Sequence, residues 1–244
     1  MTIEPTVQSL IEPDAWWVSC EARTPQRGHL AWAYLPYLEV EPRTLVVEGR
    51  VDPTDHVRAK CRIEPLRIRE PPRAPALPVA ALPIYGSEVY LVQRAKRRPV
   101  LVLGIGGPEV PKNLRAGSPR WQTAPCLLVA PYFGVDATGA RAGYPEAFVN
   151  RVRVCEYPQY VLDSLPVGGS TKRSMLRLDH VQPLGSHYNA YELTEHCLSA
   201  PALSVLDDWL VWMATGKIPA DGTLATIRAV LMEDAAEIGS TSPE

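Results

Sequence analysis

The chain has 244 residues, enough for one large domain or two small ones, and its 46% hydrophobic and 21% charged composition is that of an ordinary globular protein. A formal net charge of -2 gives the whole molecule no electrostatic footprint for nucleic acid, so any anion site has to be local. Proline reaches 25 residues, about twice average usage, which disfavours helix interiors and favours strands, corners and connectors.

In chain order, residues 1–13 read as a loosely ordered arm. Met1 to Glu12 lacks the basic start and apolar middle of a signal peptide, and no apolar run approaches the roughly 18 residues that span a bilayer. The expectation is a soluble, cytoplasmic protein with no membrane partner. His29 to Leu38 is rich in aromatic and apolar residues. Thr44 to Gly49 follows as a short strand, then Val51-Asp52-Pro53-Thr54-Asp55 as a turn. Val57 to Arg69 alternates charged and apolar residues, the pattern of a half-buried strand. Residues 1–70 therefore read as a small β-rich unit. Residues 71–83 carry Pro71, Pro72, Pro75, Pro78 and Pro83, either as an extended connector or as an ordered strap.

Gly86 to Val92 and Arg98 to Leu103 are Val- and Leu-rich runs that read as two strands of a hairpin-like corner. Pro99 cannot donate to a ladder, so it belongs at the start of the second strand. The corner gathers Arg94, Lys96, Arg97 and Arg98, which suits a phosphate. Gly104-Ile105-Gly106-Gly107 has neither the Lys-Ser/Thr of a P-loop nor dinucleotide spacing. Cys126 to Ala130 reads as a buried strand ending in Pro131-Tyr132-Phe133-Gly134. Phe148 to Val154 alternates and reads as a strand. Tyr157 to Leu165 reads as a helical turn or a loop, and Ser174 to Gln182 as the last strand, closed by Pro183. Ser199 as N-cap, Pro201 in the first turn and Gly216 as C-cap bracket a helix with a Leu203, Leu206, Leu210 and Met213 stripe, joined by Val205 and Trp209. A second amphipathic segment runs from Leu224 to Met232, before a frayed tail after Glu237.

Five cysteines, an odd number with no C-x-x-C pair, predict reduced thiols rather than a disulfide framework or a zinc site. His187 and His196 have the wrong spacing for a helix-borne metal pair. No metal and no cofactor are expected. Trp16-Trp17 reads either as a base-stacking platform or as packing of the arm.

The order strand, basic corner, Arg98-Pro99 strand, loop, Leu127 to Pro131 strand and Ser174-Met175-Leu176-Arg177-Leu178-Asp179-His180-Val181-Gln182, then helix, resembles the MazF/PemK toxins of toxin–antitoxin pairs. The resemblance covers residues 84–215. It implies a mainly β, α+β fold: an SH3-like β-barrel with C-terminal helices over residues 84–239, with the N-terminal β-rich unit added. It also implies a homodimer, a small antitoxin-like partner and single-stranded RNA as ligand. The family's reaction is metal-independent endoribonuclease cleavage by 2′-hydroxyl attack, with an arginine at the position of Arg98 stabilising developing charge. The family's Ser or Thr after the buried strand is unmatched, and Tyr132 is the hydroxyl nearest that place. Arg98 and Tyr132 are thus the candidate catalytic pair, with Arg94, Lys96, Arg97 and His180 as RNA contacts. His180 reads either as a general base or as a hydrogen-bonded strand histidine. Arg98 reads equally as an arginine that is solvated or paired with Glu88. The alternative to an enzyme is a non-catalytic barrel serving as a protein-interaction or scaffold module.

Overall fold

A computed structural model describes residues 4–11, 15–73, 82–84, 86–138, 142–167, 173–187 and 189–240. The elements in chain order are α1 (Val7–Leu10), β1 (Trp17–Ser19), β2 (His29–Pro36), β3 (Arg43–Arg50), β4 (Ala59–Pro65), β5 (Tyr90–Val92), β6 (Ala95–Gly104), α2 (Arg120–Thr123), β7 (Leu127–Gly134), α3 (Glu146–Arg153), β8 (Tyr160–Ser164), β9 (Arg173–Arg177), β10 (Gln182–Leu184), β11 (Tyr191–Leu198), α4 (Ala200–Thr215) and α5 (Thr223–Ser240). The chain divides into a larger unit, residues 1–34 with 97–244, and a smaller one, residues 35–96.

The fold is mainly β with C-terminal helices. The main sheet is antiparallel and curls into a half-barrel, in the order β1-β11-β2-β6-β7-β9-β8, with β10 pairing on β7. The smaller sheet has the order β4-β3-β5.

In the larger unit, pairing fixes which side chains share a face. Leu101 lies opposite Ala130, and Tyr132 opposite Leu176. Those residues join Leu30, Trp209, Leu224 and Leu231 in one core beneath α4 and α5. Phe133 lies opposite Met175, on the other face. There Met175, Val135 and Leu162 meet Val149 and Val152 of α3. Helices thus lie on both sides of the sheet at its β7–β9–β8 end.

Helix α4 has the expected ends. The Ser199 hydroxyl accepts from the Ala202 amide, and Gly216 closes the helix at φ 73°. Its deepest face is rotated from the expected stripe. Ala202, Val205, Leu206, Trp209 and Trp212 are buried, while Leu203, Leu210 and Met213 pack at the margin. Burying each large apolar side chain stabilises by about 1.5–3 kcal/mol. The Asp208 carboxylate accepts from the Leu224 amide and so caps the start of α5.

Five local expectations are corrected. Tyr157 to Leu165 is neither a helical turn nor a loop: it carries strand β8, which pairs along its whole length with β9. Phe148 to Val154 is not a strand but most of α3. Phe148, Val149 and Val152 fall on one helical face and enter the second core, and Pro145 supplies the N-terminal boundary. The run from Ser174 to Gln182 is not one strand: a 3-10 turn at Leu178–His180 breaks it, so β9 and β10 pair with different halves of β7. The corner at 86–103 is not a hairpin, because β5 pairs with β3 while β6 joins the main sheet. The arm is not loose over residues 4–11. Thr6 and Ser9 form a reciprocal capping box, Val7 is buried, and Gln8 hydrogen-bonds the Ser164 backbone in both directions. Buried Arg153 ties that arm down through the Pro5 carbonyl at 3.0 Å and Asp234 at 3.1 Å. Part of the proline-rich stretch, residues 74–81, lies outside the described residues.

Candidate functional site

Arg98 stands near the start of β6, and its guanidinium carbon lies 3.9 Å from the centre of the Phe133 ring on β7. Continuing the β6–β7 register from the Val100–Pro131 pair places these two residues opposite each other. Arg177, at the end of β9, approaches the same ring at 5.4 Å and the Tyr160 ring at 5.1 Å. His180 meets Phe133 edge-on, with ring centroids 5.6 Å apart. One half-buried phenylalanine thus gathers two guanidinium groups and an imidazole.

Arg177 is held rigidly. Its Nε and Nη2 donate to the two oxygens of Asp179, both at 2.7 Å, and Nη2 lies 2.7 Å from His180 Nε2. A guanidinium only donates, so that His180 nitrogen accepts. The bonds to Asp179 raise the Arg177 pKa above its ordinary value, so the group stays charged.

The other sequence-selected cations point elsewhere. Arg97 lies 4.6 Å from the centre of the Trp32 ring and pairs with Glu192. Arg94, in the smaller unit, lies 4.7 Å from the centre of the Tyr37 ring. Lys96 is exposed. Of the four corner cations, Arg98 is the one in contact with Phe133 among the described contacts.

Tyr132 occupies a different environment. It is buried, and its hydroxyl donates to Asp163 Oδ2 at 2.9 Å. Asp163, buried on β8, also accepts from the indole N–H groups of Trp16 at 3.3 Å and Trp17 at 3.2 Å. The tryptophan pair therefore packs the N-terminal strand onto the core. Burial pushes the Asp163 carboxyl up to about 6, more than these donors pull it down. Burial, with Asp163 beside it, also drives the Tyr132 phenol well above its ordinary value. Tyr132 and Phe133 are successive residues of a strand, so their side chains leave opposite faces. Arg98 and Tyr132 are accordingly divided by the sheet and do not converge on one reacting phosphate.

Among the described residues, one group has metal-ligand character: Cys20, His29 and Cys197, whose ligand atoms all lie within 4.8 Å of one another. The sequence pattern missed it because its members are scattered along the chain and come together only through strand pairing. Asp163 was missed for the same reason, since its three donors come from β1, β7 and the residue preceding β1. No helix among the described residues is long and apolar enough to cross a membrane. Comparison of the chain with protein-family models, with curated proteins and with solved structures finds no match.

Proposed function

We propose that the larger unit is a MazF/PemK-like, SH3-like barrel that binds single-stranded RNA through Arg98, Phe133, Arg177 and His180, and that it cleaves RNA weakly or not at all. The observation that carries this reading is the meeting of Arg98 and Arg177 on the Phe133 ring. Arg177 is paired with Asp179, so the anion-binding part of the reading rests on the Arg98 guanidinium, with Arg177 as a second planar surface on the ring. A guanidinium plane held on a ring can also stack a splayed base while forking to phosphate oxygens. The curled antiparallel sheet followed by helices supports the barrel part of the reading.

Weak cleavage follows from Tyr132. Its hydroxyl is committed to Asp163 inside the core. Without the family's hydroxyl donor beside Arg98, rate falls by about 10²–10³. Long single-stranded RNA, incubated with and without EDTA, tests this against Arg98→Ala. No cleavage by either protein is expected. Robust cleavage by the wild type that vanishes in Arg98→Ala would contradict it.

The second reading, a protein-interaction module, is favoured by local neutralisation. Arg177 is paired with Asp179, and Arg97 with Glu192. An acidic, antitoxin-like partner or a second copy of the chain suits that reading. Saturable RNA binding through Arg98 separates the two.

A further inference from the structure

We propose that Cys20, His29 and Cys197 form a binding site for a zinc-class divalent ion, with the fourth coordination position open to a surface cleft. The site is built by three neighbouring strands. Cys197 on β11 is the register partner of His29 on β2. Val18 of β1 lies opposite Cys197, and Cys20, just beyond β1, donates its amide to the Glu195 carbonyl at 2.8 Å.

His29 is the decisive member. It is fully buried, and its Nε2 lies 2.8 Å from the Thr194 carbonyl. A carbonyl only accepts, so Nε2 carries the hydrogen and Nδ1 presents a lone pair. That Nδ1 is buried with no hydrogen-bond partner. A histidine fixed by a backbone carbonyl on one nitrogen, with the other left bare, is how metal-bound imidazoles are oriented. The carbonyl is anchored in turn, because the Thr194 hydroxyl donates to the Leu30 carbonyl at 2.7 Å.

The sulfurs have an outer partner as well. Gln26 Nε2 donates to Cys20 Sγ at 3.1 Å and to Cys197 Sγ at 3.3 Å. Gly28, just before His29, turns the chain at φ 83°. Tetrahedral zinc, with Zn–S about 2.3 Å and Zn–N about 2.0–2.1 Å, needs ligand separations of about 3.6–3.8 Å. Binding has to draw the ligand atoms, which lie within 4.8 Å of one another, in to that spacing. Two S–H bonds are replaced by two Zn–S bonds, and both protons leave to solvent. Cys20 also lines a cleft of about 720 Å³ with Ser19, Arg23, Tyr191 and Glu195, which gives the ion a way in and leaves the fourth position to water. The reading is independent of RNA binding.

The test uses the full chain, purified reduced and without air, with Co²⁺ as the probe. One ion per chain with a sulfur-to-cobalt charge-transfer band, displaced by Zn²⁺, is expected. Cys20→Ser should abolish the band, Gln26→Leu should weaken binding by about 10–100-fold, and Cys126→Ser, an exposed thiol elsewhere, should change nothing. Alkylation supplies a readout that needs no variant: Zn²⁺ should protect the half-buried Cys20 while leaving the exposed Cys126 reactive. Absence of the band, its survival in Cys20→Ser, equal alkylation with and without Zn²⁺, or a Cys20–Cys197 disulfide under these conditions would overturn the proposal.

Discussion

The Tyr132 hydroxyl donates to Asp163 Oδ2 across 2.9 Å inside the core, on the sheet face opposite the Arg98 guanidinium. The Tyr132 hydroxyl thus serves the core, and the cations and aromatic rings around Arg98 lie on the other face of the sheet.

Tyr132→Phe is therefore expected to cost stability and leave RNA binding alone. Removing one donor from a buried carboxyl costs about 1–3 kcal/mol. Urea unfolding measures the loss, and an unchanged midpoint would contradict the assignment.

Asp163 gives a pH signature. Its folded-state carboxyl titrates at about 6 against an ordinary value of 3.8. The folded state therefore holds the proton more tightly, and this group's contribution to stability falls as pH rises from 4 to 6. Two decades of proton affinity correspond to about 3 kcal/mol. The stability difference between wild type and Asp163→Asn should shift against the wild type by that order over this range. Comparing the two proteins is essential, because Glu48, Glu109 and Glu146, each lowered by its arginine partner, give the opposite slope. A difference independent of pH would show that Asp163 stays ionised throughout.

The rotated face of α4 makes a third prediction. Trp209 is 1% exposed and its indole N–H donates to the Pro158 carbonyl at 3.0 Å. Trp209→Ala should cost about 3–5 kcal/mol, and Leu203→Ala, at the margin, clearly less. Equal losses in thermal or urea unfolding would restore the stripe centred on Leu203.

How far the sequence could be read follows from the range of the interactions involved. Ser199, Pro201 and Gly216 act within one turn of themselves, so the ends of α4 were legible. The segment Phe148 to Val154 was not, because Val149, Val152 and Val154 set against Asn150, Arg151 and Arg153 read as either a helical or an alternating pattern, and burial against Met175 and Leu162 decides between them. The break at Leu178 depends on its amide donating to the Gln159 carbonyl, a contact no local pattern announces. The Arg98–Phe133 stack was half visible. The Arg-Pro strand could be read, but its partner depended on the β6–β7 register. Cys20, His29 and Cys197 were legible only as three scattered residues.

The most direct measurement is equilibrium binding of a labelled single-stranded RNA as a function of salt, comparing wild type, Arg98→Ala and Tyr132→Phe. Salt-dependent binding by the wild type is expected, with an equal slope for Tyr132→Phe. Arg98→Ala should bind more weakly, with the logarithmic slope reduced by about 0.7, the value of one phosphate contact on a single strand. Binding by Arg98→Ala with wild-type affinity and slope, or no RNA binding by a folded wild-type protein, would contradict it.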